Sequence, residues 1–379
     1  MIYFDNSATT AVDPDVLQTY IKASQNFWGN SSSLHQLGNK AQALLTQSRR
    51  QIAKLLNKKE QEIIFTSGGT EGNNLIIKGV SFQQANQGKH ILVSSIEHPS
   101  VLEPAKFLQS IGYDVELIPV TKTGYIDLES LKSKIRKDTI LISVMAVNNE
   151  IGTIQPIEEI AKLLQNYPTI SLHVDAVQAF GKIPVAKYLP ERVDFATFSG
   201  HKFHAPKGIG FVYAKNNKKL KSLLSGGGQE RNFRSGTEDV ASIASMSKAV
   251  RKTLENYSSS QLQQMTDKLK KELSKFPKVH IYTPLENVAP HIVAFGIKGI
   301  RGEVLLHALE EYDIYVSTTS ACSSNKDIKA GTLRAMSIPS EQRETVIRIS
   351  LSYLNTIAEV DTFLKVFSEI YHNRFKDII

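Results

Sequence analysis

Apolar runs of strand length alternate with longer stretches of helical period through the first two-thirds of the chain, and this alternation leaves few folds open. IIF (Ile63–Phe65) leads into TEGNNLIIKGVSF, and HILVSS (His90–Ser95) into PSVLEPAKFLQSIG. DVELIPV, TILISVMAV, ISLHV, DFATFS and GIGFVYA follow, with helical patterns such as PIEEIAKLLQNY between several of them. Buried strands alternating with amphipathic helices predict an α/β fold: a mostly parallel sheet with helices on both faces. Ligands of such sheets bind outside the carboxyl ends of the strands. The chemistry is therefore expected in the residues that follow each run. After about Thr237 the pattern changes to DVASIASMSKAVRKTLENYSSSQLQQMTDKLKKELSKF, which is long, charged and helical, with a polar break at SSSQ. The expected organisation is a large domain over 13–257 and a smaller α/β domain over 258–379, with residues 1–12 packing on the smaller one.

Composition narrows the function classes. Of 379 residues, 41% are hydrophobic and 22% charged, enough to form a core without staples. Cys322 is the single cysteine. That excludes a disulfide framework within the chain and any multi-cysteine metal site, and it fits a reducing compartment. MIYFDNSATT at the N-terminus has no basic segment followed by an apolar one, and ILISVMAV (Ile140–Val147) is too short to span a bilayer. A cytoplasmic protein without direct membrane contact is expected. The net charge is +8. The densest basic run, KNNKKLK (Lys215–Lys221), reads as a solvated loop; the sharper reading is a patch facing RNA or an acidic partner.

The strand ends carry a consistent set of groups. TSGGTEGNN (Thr66–Asn74) opens a helix whose free amides suit a phosphate, although a tight turn with a threonine cap explains it equally well. It has neither the ending of a P-loop nor the glycine spacing of the dinucleotide fingerprint. SSIEHPS places His98 at a strand end, where a structural role is the plainer reading. TILISVMAV ends in Asn148 and Asn149. ISLHV ends in DAVQ, with Asp175 and Gln178; Asp175 also suits a helix cap. DFATFS ends in GHKFHAPKG, with Ser199, His201 and Lys202. A phosphate cup, an imidazole ring, a carboxylate and a lysine at one sheet edge are the equipment of a pyridoxal phosphate site.

Seven separated motifs then point to a family. SGHK, HVDAVQ, TSGGTEGNN, MAVNNEIG, GGGQERNFRSGT, SACSS and RISLS together resemble the cysteine desulfurases, of the class V aminotransferase superfamily, over nearly the whole chain. The resemblance implies the type I pyridoxal phosphate fold. It implies that Lys202 is the Schiff-base lysine, Asp175 the partner of the pyridine nitrogen and Gln178 the contact to the ring hydroxyl. His98 matches the histidine that stacks on the ring and moves protons. Gly69, Thr70, Ser199 and His201 match phosphate contacts. Thr237 matches a phosphate ligand lent by a neighbouring subunit, so a homodimer is implied. Asn149 matches the asparagine near the substrate carboxylate and ring hydroxyl, and Arg348 the arginine that forks onto that carboxylate.

By the same resemblance Cys322 is the nucleophile. It takes sulfur from L-cysteine, leaving alanine and a persulfide for a protein acceptor. Its polar surroundings, SACSSNKDIKAG, fit a mobile arm, and Lys326 and Lys329 suit a thiolate. Ser31 in WGNSSSLH, the arm NKDIKAG and RISLSYLNT depart from the pattern of enzymes that serve iron–sulfur scaffolds. FWGNSSSLH, HKFHAPKG and GGGQER look closer to specialised Gram-positive desulfurases that feed tRNA thiolation, so a tRNA sulfurtransferase is the expected acceptor ahead of an iron–sulfur scaffold. The rival readings are another enzyme of the superfamily, such as an aminotransferase or a selenocysteine lyase, and a non-catalytic scaffold. An aminotransferase has no need of Cys322, and a scaffold is expected to have lost Lys202 or Cys322.

Overall fold

The structure, a computed structural model, describes residues 1–318 and 331–375. Its strands are β1 (Ile2–Tyr3), β2 (Ile63–Thr66), β3 (His90–Ser94), β4 (Asp114–Ile118), β5 (Thr139–Met145), β6 (Ser171–Asp175), β7 (Phe195–Ser199) and β8 (Gly210–Ala214). Further along lie β9 (Val279–Ile281), β10 (Ile292–Ile297), β11 (Ile314–Tyr315), β12 (Ser317–Thr318) and β13 (Val346–Ser350). Seven of them form one sheet in the order β2-β8-β7-β6-β5-β3-β4. β3, β4, β5, β6 and β7 are parallel to one another, and β8 runs antiparallel to both β2 and β7. β5, β6 and β7 are buried along their whole length, as continuous apolar runs covered on both faces must be. One apolar cluster packs Leu92, Ile142, Val144 and Phe198 against one face; another packs Ile76, Val80, Ile91 and Val93 against the other.

A second sheet, β12-β13-β10-β9, is antiparallel and has its own apolar cluster, including Val293, Phe295, Phe363 and Phe367. The N-terminal segment joins the two sheets. β1 pairs with β11, and the Asn6 amide donates to Ser350 O at 3.0 Å. Four residues on, the chain reaches the end of β7, where Thr10 N donates to His201 O at 2.9 Å.

The long helical stretch after Thr237 is two helices, Val240–Glu255 and Ser259–Leu273, and Ser258 caps the second by accepting from Gln261 N. Among the described residues no helix is long and apolar enough to cross a membrane. In the basic run, Lys218 lies 3.4 Å from the buried Asp194, and Lys215 donates to Glu191 O.

Candidate active site

One edge of the seven-stranded sheet gathers the carboxyl ends of β2, β3, β5, β6 and β7 together with the entry to β8. A cavity of about 640 Å³ opens there. Gly69, Thr70, His98, Asn149, Asp175, Gln178, Ser199, His201, Lys202 and Arg348 all line it. Thr237 does not; it is exposed in the segment before Val240–Glu255. Cys322, with Lys326 and Lys329, lies outside the described residues. Thr332, just past that segment, accepts from Asn148 Nδ2 at 2.9 Å, which anchors the chain beside Asn149.

The helix Gly69–Gln83 points its N-terminus into the cavity. The expected threonine cap is not what the structure has. Gly68 occupies the N-cap position and offers no side chain to the first-turn amides. Those amides have no partner within a helix, so they remain available to an anion. Gly68 sits at φ 148° and ψ −169°, a conformation essentially confined to glycine. A Cβ on Gly69 lies 3.2 Å from Val177 Cγ2 and 3.4 Å from Ser199 Cβ, so the turn is close-packed beneath the cavity. The Glu71 carboxylate accepts from Ser67 N and pairs with Arg234 at 2.8 Å.

Lys202 follows β7 on a tight turn. Its Nζ donates to Ser7 O at 2.5 Å and Ala8 O at 2.7 Å, so the N-terminal segment forms the lysine's cradle. Gln178 Nε2 donates to the same Ser7 carbonyl at 2.9 Å. Asp175 ends β6 and is 5% exposed. Its carboxylate accepts from Val177 N at 3.0 Å, the local turn contact the sequence allowed, and from Asn73 Nδ2 at 2.8 Å. Nearby Glu97 is fully buried. Burial, reinforced by the negative charge of Asp175, pushes its carboxyl well above the usual range.

His98 combines the structural and functional readings. Its Nδ1 caps the helix Pro99–Ser110 by accepting from Ser100 N at 3.1 Å, and the ring also lines the cavity. Burial lowers its pKa; the Asp175 carboxylate opposes that shift and Lys202 adds to it. His201, lowered to about 4 chiefly by burial and then by Lys202, is likewise a neutral ring.

Arg348, on β13, brings the second sheet into the site and is 2% exposed. One terminal nitrogen donates to Asn149 O at 2.8 Å and the other to Asp5 at 2.9 Å. Nε is buried and has no hydrogen-bond partner among the described residues. A guanidinium has five donor hydrogens, so this one keeps capacity for a ligand carboxylate.

These residues fit pyridoxal phosphate on structural grounds. A helix N-terminus without a side-chain cap suits its phosphate, a carboxylate on β6 suits its pyridine nitrogen, and a lysine, a neutral histidine and a buried arginine share the same cavity. Sequence reasoning missed four supporting groups: Asp5, Asn73, Glu97 and Ser100. DNSATT and GTEGNN held the first two, but a buried hydrogen-bond partner looks like any other polar residue in a sequence. Ser7 and Ala8 act through backbone carbonyls, which no side-chain pattern records.

The aminotransferase class-V family model matches residues 2–363. The chain belongs to that family and, within it, to the cysteine desulfurases. It is 49% identical over 376 residues to a NifS/IcsS protein homolog of Lactobacillus delbrueckii subsp. bulgaricus, covering 98% of both chains. It is 39% identical over 372 residues to the cysteine desulfurase IscS of Dictyoglomus turgidum, covering 97% of this chain and 94% of that one. Among solved structures, a NifS-like protein matches with a TM-score of 0.92 at 39% identity, over 98% of this chain and 99% of its own. SspA in complex with cysteine matches with a TM-score of 0.81 at 32% identity, over 93% and 99%.

Proposed function

We propose that this cavity removes sulfur from L-cysteine, that Cys322 receives the sulfur as a persulfide, and that a tRNA-modifying sulfurtransferase is the acceptor. The convergence of Lys202, Asp175, His98 and Arg348 on one cavity carries the reading. Lys202 holds the cofactor, Asp175 its ring nitrogen and Gln178 its ring hydroxyl. The first-turn amides at Gly69 and Thr70, with Ser199 and His201, hold its phosphate. When bound, pyridoxal phosphate supplies the sink for negative charge at the substrate α-carbon. Arg348 and Asn149 orient the substrate carboxylate. Lys202 would remove the α-proton, and His98, lining the same cavity, would help to move protons. Sulfur transfer breaks the substrate's Cβ–S bond and forms an S–S bond to the Cys322 thiolate. Protonation of the remaining carbon skeleton gives alanine.

The assembly is a homodimer in which Thr237 serves the phosphate site of the second protomer. Its exposed position outside its own cavity favours this, as do the exposed apolar side chains Trp28 and Leu34 in the loop near it. Ser31 in that loop donates to Glu238 at 2.7 Å, tying it to the segment that carries Thr237. The large unit spans 13–257 and the small one 258–379. The acceptor reading rests on the arm NKDIKAG and the central motifs. Loading the protein with labelled cysteine beside candidate acceptors tests it, together with a strain that lacks the protein. Loss of thiolated uridines supports a sulfurtransferase acceptor. Full thiolation with failing iron–sulfur enzymes means that the scaffold is the acceptor.

A further inference from the structure

We propose that Asn73 is a positioning residue for the reaction: its amide joins the Asp175 carboxylate to the His98 ring through Ser100, so that one buried side chain orients both. Asn73 sits one turn into the helix Gly69–Gln83 and is 0% exposed. Its Nδ2 donates to Asp175 Oδ2 at 2.8 Å and to Ser100 Oγ at 2.8 Å. Ser100 Oγ lies 2.8 Å from His98 Nδ1.

The polarity of this chain follows from what each group can do. An amide nitrogen only donates. The opposite amide orientation sets an amide oxygen against a carboxylate oxygen, two acceptors face to face. Asn73 therefore donates to Ser100 Oγ, and the single hydroxyl proton of Ser100 is directed at His98 Nδ1. The Ser100 backbone N–H also donates to that nitrogen. Nδ1 is thus an acceptor twice over, and the proton of the neutral ring is on Nε2. Asn73 Oδ1 is buried and has no hydrogen-bond partner among the described residues. An asparagine placed for stability alone is expected to satisfy its carbonyl. Here both donor hydrogens go toward groups of the cavity while the acceptor is left unmet.

Protonating His98 at Nδ1 requires Ser100 to turn its hydroxyl away, and Asn73 holds that hydroxyl in place. The charged and titratable groups facing His98 are Asp175 from β6, Lys202 and His201 from the turn after β7, and its neighbour Glu97. Substitution at Ser100 leaves the charge of each of these groups in place, and substitution at Asn73 does so too while removing one donor from the Asp175 carboxylate.

The inference rests on the proposed roles of Asp175 and His98, and its test is independent of turnover. The full chain is labelled with ¹⁵N-histidine and titrated with and without pyridoxal phosphate, the His98 signal being assigned by its loss in His98→Gln. The native protein is expected to show the Nε2–H tautomer. Asn73→Ala and Ser100→Ala should each raise the His98 midpoint by about half a unit to one unit. The double variant should shift it no further than the larger single shift, because the two residues act in series. If Asn73→Ala does not fold, Ser100→Thr, which keeps the hydroxyl, should retain the native midpoint where Ser100→Ala does not. An unmoved midpoint in folded Asn73→Ala, fully additive shifts, or failure of threonine to rescue overturns the proposal. A normal tautomer result beside full desulfuration by His98→Gln overturns the role of His98 instead.

Discussion

Arg348, on the proposed reading, would take a ligand carboxylate while already paired within the protein. Asp5 and Asn149 O fix the two terminal nitrogens, so the planar group is oriented before substrate arrives. Lysine at this position keeps a charge but loses the fork. Arg348→Lys is expected to raise KM for L-cysteine about 10-fold or more, since a charge-assisted hydrogen bond contributes ~1.5–3 kcal/mol. kcat should change less, and steady-state kinetics with cysteine check both. Lys202→Ala should leave no covalently held cofactor, so borohydride reduction and peptide mapping should find the pyridoxyl group on Lys202 in the native chain and nowhere in the variant. At this scale the sequence exposed residues whose chemistry is distinctive, such as Lys202 and Arg348. It hid Asp5, whose importance comes only from standing opposite a buried guanidinium 343 positions away.

The turn at Gly68 is the element on which the phosphate reading depends. Gly68→Ala forces a Cβ into a glycine-only conformation, at a cost of about 1–3 kcal/mol. It should lower the melting temperature and weaken cofactor binding by fluorescence titration; unchanged values for both contradict the assignment. The strands and helices of the large sheet were legible because each carries its own periodicity. The direction of β8 was less so, because a continuous apolar run reads the same either way. Only Gly200–Ile209 separate β7 from β8, too short for a helical crossover. β1, β11 and β12, of two residues each, have no period to read. Their pairing is settled by tertiary contact.

Across the molecule, three buried histidines are held neutral. His173 is lowered by burial to about 3. His204 is lowered to about 4, chiefly by burial and then by Lys182. His291 is lowered well below the ordinary value, by burial and then by Lys182 and Arg348. Unfolding lets each take up a proton near pH ~6.5. Between pH ~6.5 and ~4 the unfolded state therefore binds more protons, and stability falls with acidification by up to ~1.4 kcal/mol per histidine per pH unit. Calorimetry should show the melting temperature falling steadily from pH 7 to pH 5, and a flat profile contradicts the neutral assignments. The N-terminal segment unites the molecule by pairing β1 with β11, Asp5 with Arg348 of the second sheet, and the carbonyls of Ser7 and Ala8 with Lys202. No local pattern in MIYFDNSATT announces that role, because it is made of backbone groups and one carboxylate.

The proposed division of labour between Lys202 and Cys322 is tested most directly by following sulfur through a single turnover. The full chain with its cofactor is mixed with L-cysteine and quenched by alkylation, then alanine is quantified and the peptide carrying Cys322 is weighed. The expected result is alanine in step with the gain of one sulfur atom on Cys322. Cys322→Ser should still hold the cofactor and produce almost no alanine. Alanine and free sulfide from Cys322→Ser at the native rate, or alanine from the native chain without sulfur on Cys322, contradict the account.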